Sequence, residues 1–306
     1  MFSEKMIKSP LNYTGGKFKL LPQILPFFPK EIDVFYDIFC GGAKVAINVN
    51  AKKIIGIDIN KKIIDLYNYF LTKNSEDLCN EISEIINIYN LSNSNLNGYE
   101  YYNSNSSDGL GEYNKSAFVN LKKNYNDKNF KTYNKNLLFY VLIIYGFNNQ
   151  IRFNQKDEFN IPVGKRDFNQ KIKSNLVNFI NKLHNSNIVF KCSDYNDFIL
   201  DEKINNFVYA DPPYLITTAS YNESDGWNES KEKKLLDYLS ELNNKGVKFA
   251  LSNVIEHKNK KNEILEKWIN DNQYIMHELN FSYNNSSYQS KNKDTVTKEI
   301  LVTNYK

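Results

Sequence analysis

Residues 207–214 read Phe-Val-Tyr-Ala-Asp-Pro-Pro-Tyr, and the chemistry of the chain gathers at the end of that stretch. Asp211 supplies a carboxylate and Tyr214 an aromatic ring. Pro212 and Pro213 cannot donate to a sheet, and each holds the residue before it extended. Acid and ring therefore stand on a stiff corner, where an open α/β sheet binds its ligands. A second constellation lies upstream. Gly41-Gly42 follows an apolar stretch, and Asp58 closes the next one. Adjacent glycines let backbone approach a ligand closely, and an acid so placed suits ribose hydroxyls. An adenosine-containing ligand and an ordinary βαβ turn both fit this pattern, because GxGxxG is absent. Gly15-Gly16-Lys17 hints at a phosphate loop, but its spacing is not that of a P-loop. A turn opening a helix is the other reading.

The elements that must position these residues follow from apolar spacing. A strand over 207–210 delivers Asp211. Strands over 33–42 and 53–58 flank the glycine turn, with a short helix over 43–49 between them. A helix is expected over 18–28, broken near Pro26 and Pro29, and another over 61–70. Residues 75–185 break this rhythm, with helical segments over 81–89 and 137–145. They also include a polar loop over 90–114 and an irregular hairpin over 146–166. Strands then return over 187–191, 247–251 and 299–304, with helices over 231–242 and 263–269. The expected class is α/β, a Rossmann-like sheet with helices on both faces and a mainly helical insert. Residues 1–74 and 186–306 form the sheet domain, and 75–185 the insert.

Bulk composition permits nucleic-acid binding without requiring it: 39 Lys+Arg against 35 Asp+Glu leave a net charge of +4. Cys40, Cys79 and Cys192 lie far apart, as do His184, His257 and His277. They form neither a disulfide framework nor a metal cluster and suit a reducing compartment. No apolar run has membrane-spanning length, and the first residues do not make a signal peptide. An intracellular protein without metal or membrane partner is expected. The heavy use of asparagine is a broad bias and marks no function alone.

Taken together, these pieces resemble the Dam-type adenine-specific DNA methyltransferases, which use S-adenosylmethionine. The resemblance runs through Tyr13 to Lys17, Asp37 to Gly42, Asp58, Phe147 to Asn154, Glu158 to Arg166, Asp211 to Tyr214 and Glu299 to Tyr305. It implies a monomeric enzyme acting on double-stranded DNA, with a target base flipped from the helix. Asp211 and the Pro212 carbonyl would accept the two hydrogens of the adenine amine, and Tyr214 would stack on the base. Tyr13 and Lys17 would contact the cofactor, Asp37, Phe39 and Gly41 its methionine side, and Asp58 its ribose. Asp194 would bind the cofactor adenine, although an acid after a strand is often a cap.

DNA reading would fall to the insert. Both arginines of the chain lie there. Arg152 is the base-reading candidate, since a guanidinium fork matches guanine. Lys165 and Arg166 would hold phosphate. Phe147 resembles the family's wedge beside the flipped base. Core packing is the other reading for Phe147 and for Phe153. Asn148 and Pro162 are further DNA contacts. Several relatives carry lysine where this chain has Asn12, which bears on the first base of the target. GATC is the expected target, and a different short site within a restriction–modification system is the alternative. Rival readings are methylation of cytosine or of protein glutamine, and a non-catalytic DNA-binding module.

Overall fold

Short apolar strands separated by polar turns build a mixed sheet in the computed structural model. It describes residues 6–13, 15–198, 200, 201, 205–217, 226–280 and 297–306. The strands are β1 (Val34–Asp37), β2 (Lys53–Asp58), β3 (Ile188–Cys192), β4 (Phe207–Ala210), β5 (Lys248–His257), β6 (Lys260–Lys261), β7 (Ile275–Leu279) and β8 (Thr297–Thr303). Helices α1 (Leu21–Ile24), α2 (Lys61–Leu71), α3 (Ser75–Ile88), α4 (Ser94–Asn97), α5 (Gly111–Asn126), α6 (Lys135–Tyr145), α7 (Gln170–His184), α8 (Glu229–Asn244) and α9 (Glu263–Asn272) complete the architecture. Asparagine has a local use here. Asn60, Asn74, Asn93, Asn134, Asn169, Asn228 and Asn262 each accept a backbone N–H at the start of a helix.

The chain packs as two compact units: Lys17–Ile59 with Asn187–Lys306, and Met1–Gly16 with Asn60–Ser186. The first holds the sheet, in order β3-β2-β1-β4-β5-β8-β7, with β6 beside β5. Strands β3, β2, β1, β4 and β5 run parallel, while β8 runs antiparallel to β5 and β7. Side chains alternate between its faces. Tyr36, Val208 and Ala210 face α8 and α9, joining a core with Leu235, Leu239, Leu265 and Trp268. Phe35, Phe207 and Tyr209 point the other way, where Phe28 packs with ring centroids 4.8–5.8 Å from theirs. The expected α/β sheet flanked by helices is present.

Several expected boundaries move. Residues 18–28 do not form one helix. Turns of 3-10 type at Lys17–Lys19 and Leu25–Phe27 flank α1, and a proline near the start of α1 and of the second turn restarts the chain. Residues 43–49 make isolated helical bonds (Ile47 to Ala43, Val49 to Val45) without becoming a helix. Ala43 stands at φ +52°, in the left-handed region, which prevents a regular start. Strand β5 continues past residue 251 through Ser252 and Asn253, both fully buried. Strand β7 was hidden because adjacent His277 and Glu278 break its apolar run. The expected 90–114 loop contains α4 and the start of α5.

In the second unit α6 is apolar on every side and packs against α2, α3 and α5. A buried carboxylate, Asp167, ties its loops together, accepting 2.8 Å from the Ser94 hydroxyl. Sequence rhythm places α2 with the sheet domain, whereas packing groups it with α6 and α7.

Gly56 tests the sheet. A Cβ there would meet the Phe190 ring at 2.8 Å and the Cys40 Cβ at 3.3 Å. Gly56→Ala is expected to destabilise by about 1–3 kcal/mol through overpacking, read as a lower urea midpoint with unchanged m-value.

Candidate functional site

Strand order reverses between β1 and β4: β2 and β3 continue to one side, β5 to the other. Such a reversal opens a crevice at the carboxyl ends of the two central strands. The chain delivers its acids there. Asp37 ends β1, Asp58 ends β2 and Asp211 follows β4 directly.

Lys17 lies at the centre of this edge. Its ammonium is 3% exposed and sits 2.9 Å from Asp211 Oδ1 and 3.1 Å from Glu299 Oε1. The Tyr214 hydroxyl donates to the same two oxygens, at 2.9 and 3.1 Å. The Lys17 Nζ also lies 4.8 Å from the Tyr214 ring centroid, a cation–π distance. Glu299 is itself 2% exposed, in β8. Burial lowers the Lys17 ammonium, but the two carboxylates outweigh it and the balance lies above the usual range. Burial raises Asp211, opposed by Lys17. Burial also pushes the Tyr214 phenol well up, reinforced by Asp211, so its proton stays in place. Lys17 and Tyr214 thus both bind Asp211 through Oδ1.

Around this cluster the turns are pinned. Asp58 Oδ2 accepts from the Gly41 N–H at 2.8 Å, fixing a glycine at φ +41°. Asp37 is 2% exposed, and its Oδ1 has no hydrogen-bond partner among the described residues. Burial, then the Asp211 charge, hold its carboxyl well above the usual range. A buried carboxyl with an unused oxygen suits a polar ligand beside it. Lys44, lowered to about 8 by burial and by Lys17, is a cation easily persuaded to give up its proton. Phe39 packs between Tyr195 (5.2 Å) and Trp227 (5.8 Å), giving the edge an aromatic wall. Trp227 is held in turn by Glu232, a fully buried carboxylate that also accepts from Asn253 and Asn262. The donor set fits a nucleoside-bearing cofactor: glycine turn, half-buried acid, buried acid with one unpartnered oxygen and aromatic wall. Asp194 is exposed and accepts from the Asn196 N–H at 2.9 Å within a turn. Pro212 is buried behind the corner.

The remaining predicted residues lie in the other unit. Tyr13 belongs to it and is half-buried, while Thr14 lies outside the described residues. Phe147 is 45% exposed, so it is no core residue, whereas Phe153 packs on Phe139 and Phe159 as the core alternative had it. The hairpin closes where Phe147 N–H donates to the Pro162 carbonyl at 2.8 Å and Gly164 N–H to Tyr145. Beside that closure, Asn148 and Asn149 both stand at φ +53°. Asn12 holds this turn, its side-chain amide donating to the Asn148 carbonyl at 2.8 Å. Arg152 is exposed and braced, donating through Nε to Asn160 at 2.8 Å. Pro162, Lys165 and Arg166 are exposed on the same segment.

Sequence reasoning missed Glu299 and Lys44 as members of the site. The signal for Glu299 was an acid inside the apolar run of β8. Among the described residues, no group of His, Cys, Asp and Glu is arranged to hold a metal ion, and no helix is long and apolar enough to cross a membrane.

Comparison with known proteins places these features in one family. The family model described as D12 class N6 adenine-specific DNA methyltransferase matches residues 13–285. The modification methylase StsI of Streptococcus sanguinis is 42% identical over 99% of this chain, which covers 44% of that protein. The type II methyltransferase M.FokI of Planomicrobium okeanokoites is 42% identical over 98% of this chain and 43% of its own length. A DNA adenine methylase of Haemophilus influenzae is 26% identical over 67% of this chain and 63% of its own. The chain thus spans less than half of StsI and M.FokI.

Removing the central cation leaves two buried carboxylates face to face. Lys17→Met is expected to destabilise by about 3–5 kcal/mol at neutral pH, measured by equilibrium unfolding beside the wild type.

Proposed function

The chain belongs to the D12 class N6 adenine-specific DNA methyltransferase family, and from that premise we propose that it methylates the 6-amino group of an adenine flipped out of duplex DNA. The observation that carries this reading is the buried Lys17–Asp211–Glu299–Tyr214 cluster at the reversal of strand order. When bound, S-adenosylmethionine would supply the methyl group and leave as the neutral thioether, while the amine would release one proton to solvent. Asp58, Gly41, Asp37 and Phe39 would hold that cofactor, with Tyr13, Lys17 and Asp194 as further contacts.

The chain's own residues prepare the amine. Its lone pair is delocalised into the purine ring, which makes it a poor nucleophile. Asp211 and the Pro212 carbonyl accept its two hydrogens and favour a pyramidal nitrogen. Positive charge then grows on that nitrogen, and acceptors fixed in advance stabilise it without reorganising. Lys17 fixes Asp211 from behind. Tyr214 offers its ring to the flipped base, a contact worth about 1–3 kcal/mol. Alignment of amine and methyl carbon supplies the rest of the rate.

In this reading residues 1–74 and 186–306 serve catalysis, and 75–185 target recognition. Phe147 enters the base stack. Arg152, held flat by Asn160, reads a base edge. Asn148, Pro162, Lys165 and Arg166 contact the backbone or neighbouring bases. GATC is the target drawn from the Dam-type resemblance. A different short site, guarded in a restriction–modification pair, is the reading that Asn12 and 42% identity to two named modification enzymes favour.

Duplex DNA treated with the protein and S-adenosylmethionine should carry methyl groups only on adenines within one short sequence, read by sequencing modified bases. Methylation of cytosine, or none, would overturn the proposal. Asp211→Ala should abolish transfer and keep the fold, because Lys17 retains Glu299; near-normal turnover would sink the role of Asp211. Arg152→Ala should relax selectivity at one base pair, by about 1–3 kcal/mol. A uniform loss across sequences would mark a phosphate contact instead.

A further inference from the structure

A lysine from outside the hairpin grips it. Lys62 belongs to α2, yet its ammonium pairs with Asp157, 95 positions away, and stands 4.4 Å from the Phe153 ring centroid. Both contacts fall beside Arg152. The Asn160 N–H donates to the Arg152 carbonyl at 3.2 Å, and Phe153 bridges Phe159 in antiparallel register. The turn beyond is clasped by Asn154, whose side chain accepts from the Glu158 N–H at 3.0 Å and donates to the Glu158 carboxylate at 2.9 Å. Asp157 stands in that turn at φ +62°. The returning strand has its own support. The Asn126 side chain, at the end of α5, accepts from the Phe159 N–H at 2.9 Å and donates to its carbonyl at 3.1 Å, as a neighbouring strand would. Asn126 thus holds the strand of Phe159, and Lys62 holds the strand of Phe153 together with the turn.

Lys62 is 28% exposed and Asp157 71%. An ion pair so open to water adds little to global stability. Its consequence is geometric. A grip on ring and turn together restricts the twist of the hairpin, and a guanidinium fork reads a base edge only when it lies in the plane of that edge. We propose that Lys62 is a positioning residue for target reading: by clasping Phe153 and Asp157 it sets the angle at which Arg152 meets its base pair. The assignment rests on the role of Arg152 proposed above. Lys62 acts through the hairpin and not on the base itself.

Single-turnover methylation by the full chain tests this on the target duplex found by sequencing modified bases. The comparison duplexes are changed at the base pair that Arg152→Ala relaxes. Lys62→Met keeps an apolar stem against the Phe153 ring and removes the charge. Its selectivity at that pair should fall about three- to tenfold, because a brace biases the hairpin only by the energy of its own contacts. Selectivity at the other pairs should stay within about twofold of wild type. Lys62→Arg, which can make both contacts, should restore the ratio. In the Arg152→Ala background Lys62→Met should move selectivity no further, since the residue it positions is gone. An additive loss in that double variant overturns the assignment. So does an equal loss of rate on every duplex with a shallower salt dependence, which marks Lys62 as a phosphate contact. If Lys62→Met does not fold, Asp157→Asn tests the same clasp from its other end, and unchanged selectivity there overturns the assignment. If Arg152→Ala relaxes no base pair, or the wild type methylates no adenine, the role of Arg152 or the proposed function falls first, and the Lys62 assignment with it.

Discussion

A lysine ammonium buried between two carboxylates governs this structure. Desolvation makes an isolated buried ion prohibitively expensive, so Lys17, Asp211 and Glu299 must arrive together or not at all. Each comes from a different place: Lys17 from a 3-10 turn, Asp211 from the end of a parallel strand, Glu299 from an antiparallel one. Their meeting fixes the register between β4, β5 and β8, because a slip of one residue would send Glu299 to the opposite face. The ion cluster is thus a constraint on the sheet as much as a feature of the site.

The sheet in turn explains why the acids gather at the corner after β4. With β1 and β4 adjacent and the order diverging on both sides, connecting segments leave that edge in opposite directions. Backbone is scarce there, and ligand can enter. Asp37, Asp58 and Asp211 end neighbouring strands, so their charges are close, and the protein answers with one lysine, one carboxyl whose charge is disfavoured by burial and a hydrogen bond from Gly41. The glycine and the proline pair do opposite work: one admits an unusual backbone angle, the others forbid change.

Much of this was legible in the residues. Strand β4 and its proline stop, strand β2 and its terminal acid, and the apolar helix α6 stand where the pattern put them. Those signals are local. What escaped was non-local. In strand β7 the adjacent His277 and Glu278 interrupt Ile275, Met276 and Leu279, and pairing with β8 makes it a strand. Residues 43–49 have helical composition, but one left-handed residue at Ala43 defeats it. Glu299 looked like a polar strand start until its partner 282 positions upstream (299 − 17) was in view. The hairpin at 146–166 was visible as an irregular segment, yet nothing in its composition foretold two consecutive left-handed asparagines steadied by Asn12.

That long separation between Lys17 and Glu299 bears on how the molecule comes into being. Local contacts such as the capped helices can form as the chain emerges, whereas contacts of high sequence separation must wait for loop closure. During synthesis, Lys17 and Asp211 are made long before the strand that shares their charge. The corner after β4 therefore cannot acquire its second carboxylate until β8 has paired with β5, and closure of the ion cluster is coupled to the most distant strand pairing of that half of the sheet.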